Sequence, residues 1–196
     1  MREGILVPDR NTPMTHLRST VIVNSMRIVR DRSLDAEYWE ALGPESEEFF
    51  RGLVAQGWVG VDRAVEHYSI LDTLIPNPLD HYAIGKQAAE KLQALYIRTV
   101  STLLRASGAL TVERVLGRLR GAFDRMMQGG TVTVHQTGPK DAEILLEDMP
   151  LLDLPYFRNN LVAWLSAICG LGATTARTRI IDTPEPGACR YRVAWV

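Results

Sequence analysis

The sequence predicts an α+β fold: a helical N-terminal two thirds packed on a small C-terminal antiparallel sheet of about four strands. Three observations lead there. Thr131–Gln136 and Ala142–Asp148 alternate apolar and polar residues with a period of two, around a Thr137-Gly138-Pro139-Lys140-Asp141 turn. Leu154–Cys169 instead repeats apolar residues at three- and four-residue steps, as one face of a helix does. Thr174–Asp182 and Cys189–Val196 return to the strand pattern on either side of Pro184-Glu185-Pro186-Gly187.

The remaining elements follow in order. Met1–Thr15 holds Pro8, Asn11 and Pro13 with little periodicity and reads as a flexible lead-in, leaving 16–196 as a single α+β domain. Thr20–Arg32 is helical, with Val21, Ile22, Ser25, Met26 and Val29 on one side and Arg27, Arg30 and Asp31 opposite. Ser33 or Asp35 caps a short helix to Leu42, and Gly43-Pro44 ends it and starts another, whose Glu45, Glu47 and Glu48 suit the positive end of its dipole. Gly57 and Gly60 mark a turn around Trp58. Asp62 caps a helix to about Ile75 that buries Val65, Tyr68, Leu71 and Leu74. Pro76-Asn77-Pro78 is a break, because each proline pushes its predecessor out of helical geometry. Asp80 caps a long helix to about Ser107, and Thr111 caps another that Gly129-Gly130 ends. Asp153 is expected to cap the apolar helix, with Pro155 in its first turn.

Composition narrows the function. Hydrophobic residues make up 46% and the formal net charge is −1, with both signs interspersed. Such a chain can bury a core but offers no basic field, so nucleic acid is not an expected partner. Arg177, Arg179, Arg190 and Arg192 form the densest basic group and read as a solvated outer sheet face. The most apolar run, Leu161–Ala173, is too short to span a bilayer, and no secretory leader is evident; a cytoplasmic location is the default expectation. Cys169 and Cys189 are too few for a disulfide framework and read as buried small hydrophobes.

No catalytic motif emerges. His16, His67, His81 and His135 are scattered without metal-ligand spacing and read as surface or cap-region residues, so no metal site is expected. There is no Gly-x-Ser-x-Gly elbow. Gly170-Leu171-Gly172 follows a helix rather than preceding one, the reverse of what a dinucleotide phosphate needs. What remains is aromatic. Trp164 and Ile168 on the apolar helix, with Tyr191 and Trp195 on the last strand, are the candidate lining of a ligand space between helix and sheet, since Trp and Tyr bring polar tips to an apolar wall.

Val21–Arg30 leading into the Trp39 helix, the Ile84-Gly85 start of the long helix, Gly129-Gly130 before the first hairpin and the Cys189–Trp195 ending carry a resemblance. From Thr20 to Val196 the chain resembles the superfamily that joins heme-based nitric oxide/oxygen sensor domains, 4-vinyl-reductase-type ligand-binding domains and TRAPP vesicle-transport subunits. Within it, it is most similar to a bacterial family of myxobacterial type. The resemblance implies helices over one face of a twisted antiparallel sheet, an apolar ligand space between them, and dimerisation. The heme-sensor branch needs a helical histidine and a Tyr-x-Ser-x-Arg motif. Tyr96-Ile97-Arg98 and Tyr191-Arg192-Val193 do not supply the motif, and His81 is read as preceding its helix, so no cofactor, heme included, is expected.

The expected function is a non-enzymatic sensory or regulatory module that binds a small apolar molecule or a protein partner and acts as a homodimer. A structural homodimer with a filled core is the alternative. An enzyme acting on an apolar or tetrapyrrole-like substrate is the third reading.

Overall fold

The computed structural model describes residues 12–96 and 110–196. It is an α+β protein with its helices mostly N-terminal and its larger sheet C-terminal. The chain begins with β1 (His16–Arg18), α1 (Ser19–Asp31), α2 (Asp35–Arg51), β2 (Trp58–Gly60), α3 (Val61–Leu74) and α4 (Pro78–Tyr96). Two short helices, α5 (Val112–Leu116) and α6 (Leu119–Asp124), lead to β3 (Met127–Gln128). The C-terminal part is β4 (Thr131–Gly138), β5 (Asp141–Glu147), a 3-10 turn (Pro150–Asp153), α7 (Pro155–Cys169), β6 (Ala176–Asp182) and β7 (Cys189–Trp195).

The C-terminal sheet is antiparallel throughout, in the order β4-β5-β7-β6. Its alternation is that of a sheet with one covered face. Val132, Val134, Ala142, Ile144, Leu146, Tyr191 and Val193 are buried, while the other face carries the row His135, Glu143, Arg192 and Arg179, aligned across the strands. Two of the four arginines of that face are ion-paired: Arg192 grips Asp141 through Nε at 3.0 and 2.9 Å and also through Nη2, and Arg190 lies 3.5 Å from Asp182.

Helix α7 covers the buried face. Ser166 Oγ accepts the Thr178 N–H of β6 at 3.0 Å, and the Tyr191 hydroxyl donates to the Arg158 carbonyl at 3.3 Å. Helix α4 then lies on α7. They approach so closely that a Cβ on Gly85 would stand 2.5 Å from the Asn160 carbonyl oxygen and 2.9 Å from its Cα. Only glycine allows that contact.

A second, three-stranded sheet, β2-β1-β3, ties residues 16–18 to the middle of the chain: Leu17 pairs with Val59 on one side and Met127 on the other. The sequence shows no sign of it, because its strands are two or three residues long. Trp58–Gly60, expected as a turn, is one of its edges. The expected lead-in lies mostly in residues 1–11, outside the described residues, and so does the long helix beyond Tyr96. Met14 is buried.

The break expected at Gly43-Pro44 is a kink within one helix. Gly43 takes φ 72° and ψ 167°, yet Tyr38, Leu42, Ser46 and Phe50 keep a buried stripe at four-residue steps across it. The helix expected to follow Thr111 is divided at Gly117, and Thr111 Oγ1 accepts the Arg114 N–H as a cap should. The α7 cap comes from elsewhere. Asp153 accepts the Gly187 N–H at 2.7 Å, and it is Asp72 of α3 that accepts the Tyr156 N–H in the first turn, at 2.6 Å. Burial raises the Asp72 pKa, and the Tyr156 N–H partly offsets that.

Gly85→Ala should destabilise the protein by about 1–3 kcal/mol, although alanine is the better helix former by about 1 kcal/mol. Urea unfolding of the purified chain measures it; an unchanged or raised midpoint would show that α4 and α7 can part without cost.

Candidate functional site

The helical lobe is built around buried polar groups rather than hydrocarbon alone. On α3, Ala64, His67, Tyr68 and Leu71 share the buried stripe, so His67 points inward with the apolar residues. There it meets Ser25 of α1 and Tyr38 of α2. The hydrogen-bond directions follow from one carbonyl. Ser25 Oγ–H donates to the Ile22 carbonyl at 2.8 Å, so the same oxygen accepts from His67 Nε2–H at 2.5 Å. The other ring nitrogen, Nδ1, is then an acceptor and takes the Tyr38 hydroxyl proton at 2.7 Å. The Tyr68 hydroxyl gives a second bond to Ser25. His67 is therefore neutral, and full burial pushes its pKa down to about 3. Burial also pushes the Tyr38 and Tyr68 phenols well above their usual range, so they stay protonated and able to donate.

Aromatic rings extend this cluster toward α7. Ring centroids are 4.7 Å apart for His67–Tyr68, 5.9 Å for Tyr68–Tyr156 and 5.0 Å for Tyr156–His81. His81 lies in the first turn of α4, on a buried stripe with Ile84 and Gly85, and is itself buried. Its Nε2–H donates to the Ile75 carbonyl at the end of α3, and Nδ1 faces the Asn159 amide of α7 at 3.3 Å. The expectation of surface or cap-region histidines is thus corrected for His67, which is buried in mid-helix; His81 does stand in a cap region but is buried there. Their period within each helix is the signal that locates them.

The four expected lining residues fall on elements that meet, α7 and β7. Tyr191 and Trp195 are buried. Trp164 and Ile168 are half-buried on the flank of α7, and Trp164 meets Phe123 of α6 edge-on at 5.3 Å. On the other flank of α7, where Ser166 meets β6, lies a feature the sequence does not announce. The Thr178 hydroxyl, whose backbone N–H bonds Ser166, is buried with no hydrogen-bond partner of its own. Buried Cys169 ends the same helix, and desolvation pushes its thiol up to about 12, which makes it inert. Among the described residues, no group of three or more His, Cys, Asp or Glu side chains is placed to hold a metal ion, and no helix is long and apolar enough to cross a membrane.

His67 sets a pH dependence. Its folded pKa of about 3 lies below the ordinary histidine value, so its contribution to stability is complete above that value and is lost as acid forces a proton on the unfolded chain. The loss should be about 1.4 kcal/mol per pH unit below about pH 6.5. Asp72, whose pKa is raised, acts with the opposite sign in the carboxylate range. Unfolding free energies at about pH 7 and pH 5 should therefore converge in His67→Gln relative to the parent. An equal slope in both proteins would contradict a neutral buried His67.

No family model matches the chain, and no curated protein matches it in sequence. Its structure does find neighbours. An Fe(II) unliganded H-NOX protein from K. algicida has a TM-score of 0.63 at 8% identity, covering 92% of this chain and 97% of that one. A structure described as probing heme distortion in the H-NOX family gives 0.61 at 10% identity, over 91% and 95%. The I5F mutant of T. Tengcongensis H-NOX gives 0.57 at 8%, over 91% and 97%. These similarities overturn the expectation that no cofactor, heme included, is to be looked for. A missing Tyr-x-Ser-x-Arg motif concerns a few side chains, whereas the layer in which such proteins are built is present. The imidazoles as arranged do not fit an iron ligand's role, because both ring nitrogens of His67 and His81 are engaged within the protein. Across nearly its whole length, the chain has a fold like that of these H-NOX proteins.

Proposed function

We propose that the chain is a sensory or regulatory module that binds a small molecule between α7 and the sheet and passes its occupancy to a second copy or a protein partner. The observation that carries this reading is the fold: the neighbours are H-NOX proteins, matched over nearly their full length. A binding module needs two packing arrangements of unequal affinity for its ligand, and a helix layered on a sheet can supply them.

The unpartnered Thr178 hydroxyl supports the position. A buried hydroxyl left unpaired costs about 1–3 kcal/mol, so a polar atom of a bound molecule has something to gain there. Ser166, whose hydroxyl accepts the Thr178 N–H, stands on the flank of α7 opposite Trp164 and Ile168, so the apolar wall beside Thr178 comes from Ile180 of β6, which packs on the core. The ligand class is therefore a mostly apolar small molecule with a polar group at Thr178. Heme stands first among the candidates to be tried, since heme is named for one of the neighbours.

Native mass spectrometry of the full chain as isolated, with absorbance in the Soret region, tests this. The expected result is a non-covalent small-molecule mass in stoichiometric amount, with a Soret band if it is heme. Thr178→Val should lower its retention and leave the ligand-free protein as stable or up to about 1 kcal/mol more so, because it removes an unpaired hydroxyl. Ligand-free protein only, unchanged by added hemin, would overturn the reading. Equal retention in Thr178→Val would overturn the position.

A further inference from the structure

A groove of about 320 Å³ opens between α1 and α2, away from the α7 layer. Its apolar lining is Val23, Met26, Trp39, Phe50 and Leu53, and three guanidinium groups stand on it: Arg27, Arg30 and Arg51. The arginines differ in how far their charge is used. Arg51 is fixed: its Nε is 2.7 Å from Glu47, and its guanidinium lies 4.1 Å from the centre of the Trp39 ring. Arg30 is 70% exposed, and its nearest carboxylate, Asp35, is 3.9 Å away. Arg27 is exposed, with no carboxylate in ion-pair range among the described residues. Three cations thus face one concavity with a single close counter-charge, from Glu47.

We propose that this groove is a binding site for a small organic anion with a flat apolar body, an aromatic carboxylate being the simplest case. Each part of such a molecule has a partner. The ring system lies against the half-buried Val23, Met26 and Leu53, with buried Phe50 beneath them, and the carboxylate meets Arg27 and Arg30. Arginine suits this role because its planar fork can bond both oxygens of one carboxylate. The volume fits a molecule at the small end of the ligand range, about 300–1,000 Å³. Arg51, paired with Glu47 and stacked on Trp39, forms a fixed wall of the groove and leaves the free charge to Arg27 and Arg30.

The floor also connects inward. Phe50 is buried, and its ring centroid is 5.6 Å from that of His67. A ligand pressing on Phe50 therefore acts on the side chain that joins α1, α2 and α3. The site is independent of the proposed ligand space at Thr178.

Binding of 1-naphthoate to the full chain by calorimetry tests the proposal, with 1-naphthalenemethanol as the uncharged control. Saturable 1:1 binding of the carboxylate is expected, weakening with added salt, with the alcohol binding less tightly. The double variant Arg27→Gln, Arg30→Gln should weaken the carboxylate about tenfold or more and leave the alcohol unchanged. Both residues are exposed on α1, so this variant should fold as the parent does; near-identical circular dichroism and melting confirm that. Thr178→Val, in turn, should bind naphthoate like the parent. No saturable binding to the parent overturns the proposal, and so does equal affinity in the double variant.

Discussion

The contact on which the architecture depends is the approach of α4 to α7 at Gly85. It brings one helix backbone onto another, so the two helices act as a single layer over the sheet. The position of His81 follows from it. With α4 seated on α7, the imidazole reaches back to the last carbonyl of α3 and sideways to Asn159 and Tyr156. A carbonyl at a helix end has no partner within its helix, and His81 supplies one. Asp72 does the converse for α7, capping its first turn from α3. Two helix ends are thus closed by side chains from other helices, and the helical lobe is locked to the helix-on-sheet layer by hydrogen bonds as well as by apolar area.

Within the helical lobe the equivalent device is the Ser25–His67–Tyr38 set, extended by Tyr68. It joins α1, α2 and α3 with every ring nitrogen used. A satisfied buried network fixes one arrangement of helices, where a purely apolar interface would tolerate several. The Arg63 guanidinium repeats the theme nearer the surface, linking Ser46 and Glu45 of α2 to Glu66 beside it on α3. One set holds α2 before its kink at Gly43, through Tyr38, and the other beyond it, through Glu45 and Ser46, so the wall that α2 gives the groove is fixed on both sides of the kink.

The C-terminal part of the fold was legible because its information is local. Val132, Val134, Ile144 and Leu146 alternate, Leu161, Leu165 and Cys169 recur at four, and Pro and Gly punctuate them. The β2-β1-β3 sheet was not legible, since pairing Leu17 with Met127 is a long-range fact and strands of two or three residues carry no period. The Asp72 cap fails for the same reason: Asp153 has the right local position, and only the folded chain shows that Gly187 claims it. His67 and His81 could have been found from their helical stripes, but a residue-type preference for the surface outweighed the period. Arg27 and Arg30 lie on the polar side of α1, where charge reads as solvated. Their convergence with Arg51, from α2, exists only once the two helices are packed.

The cofactor question shows how fold and ligand chemistry separate. A layer of helices on a sheet depends on apolar periodicity and a few close approaches such as Gly85, and the fold is shared at 8–10% identity. Ligand chemistry depends on a handful of side chains, which the same divergence can replace. The absence of one motif therefore could not exclude heme, and the presence of the fold does not by itself supply an iron ligand. In this chain the deciding group is His81. Freeing its Nε2 would leave the Ile75 carbonyl unpaired at the end of α3, a cost of about 1–3 kcal/mol for a buried acceptor. Any ligand that recruits that imidazole must outweigh this loss, and in doing so it would loosen α3 from α4.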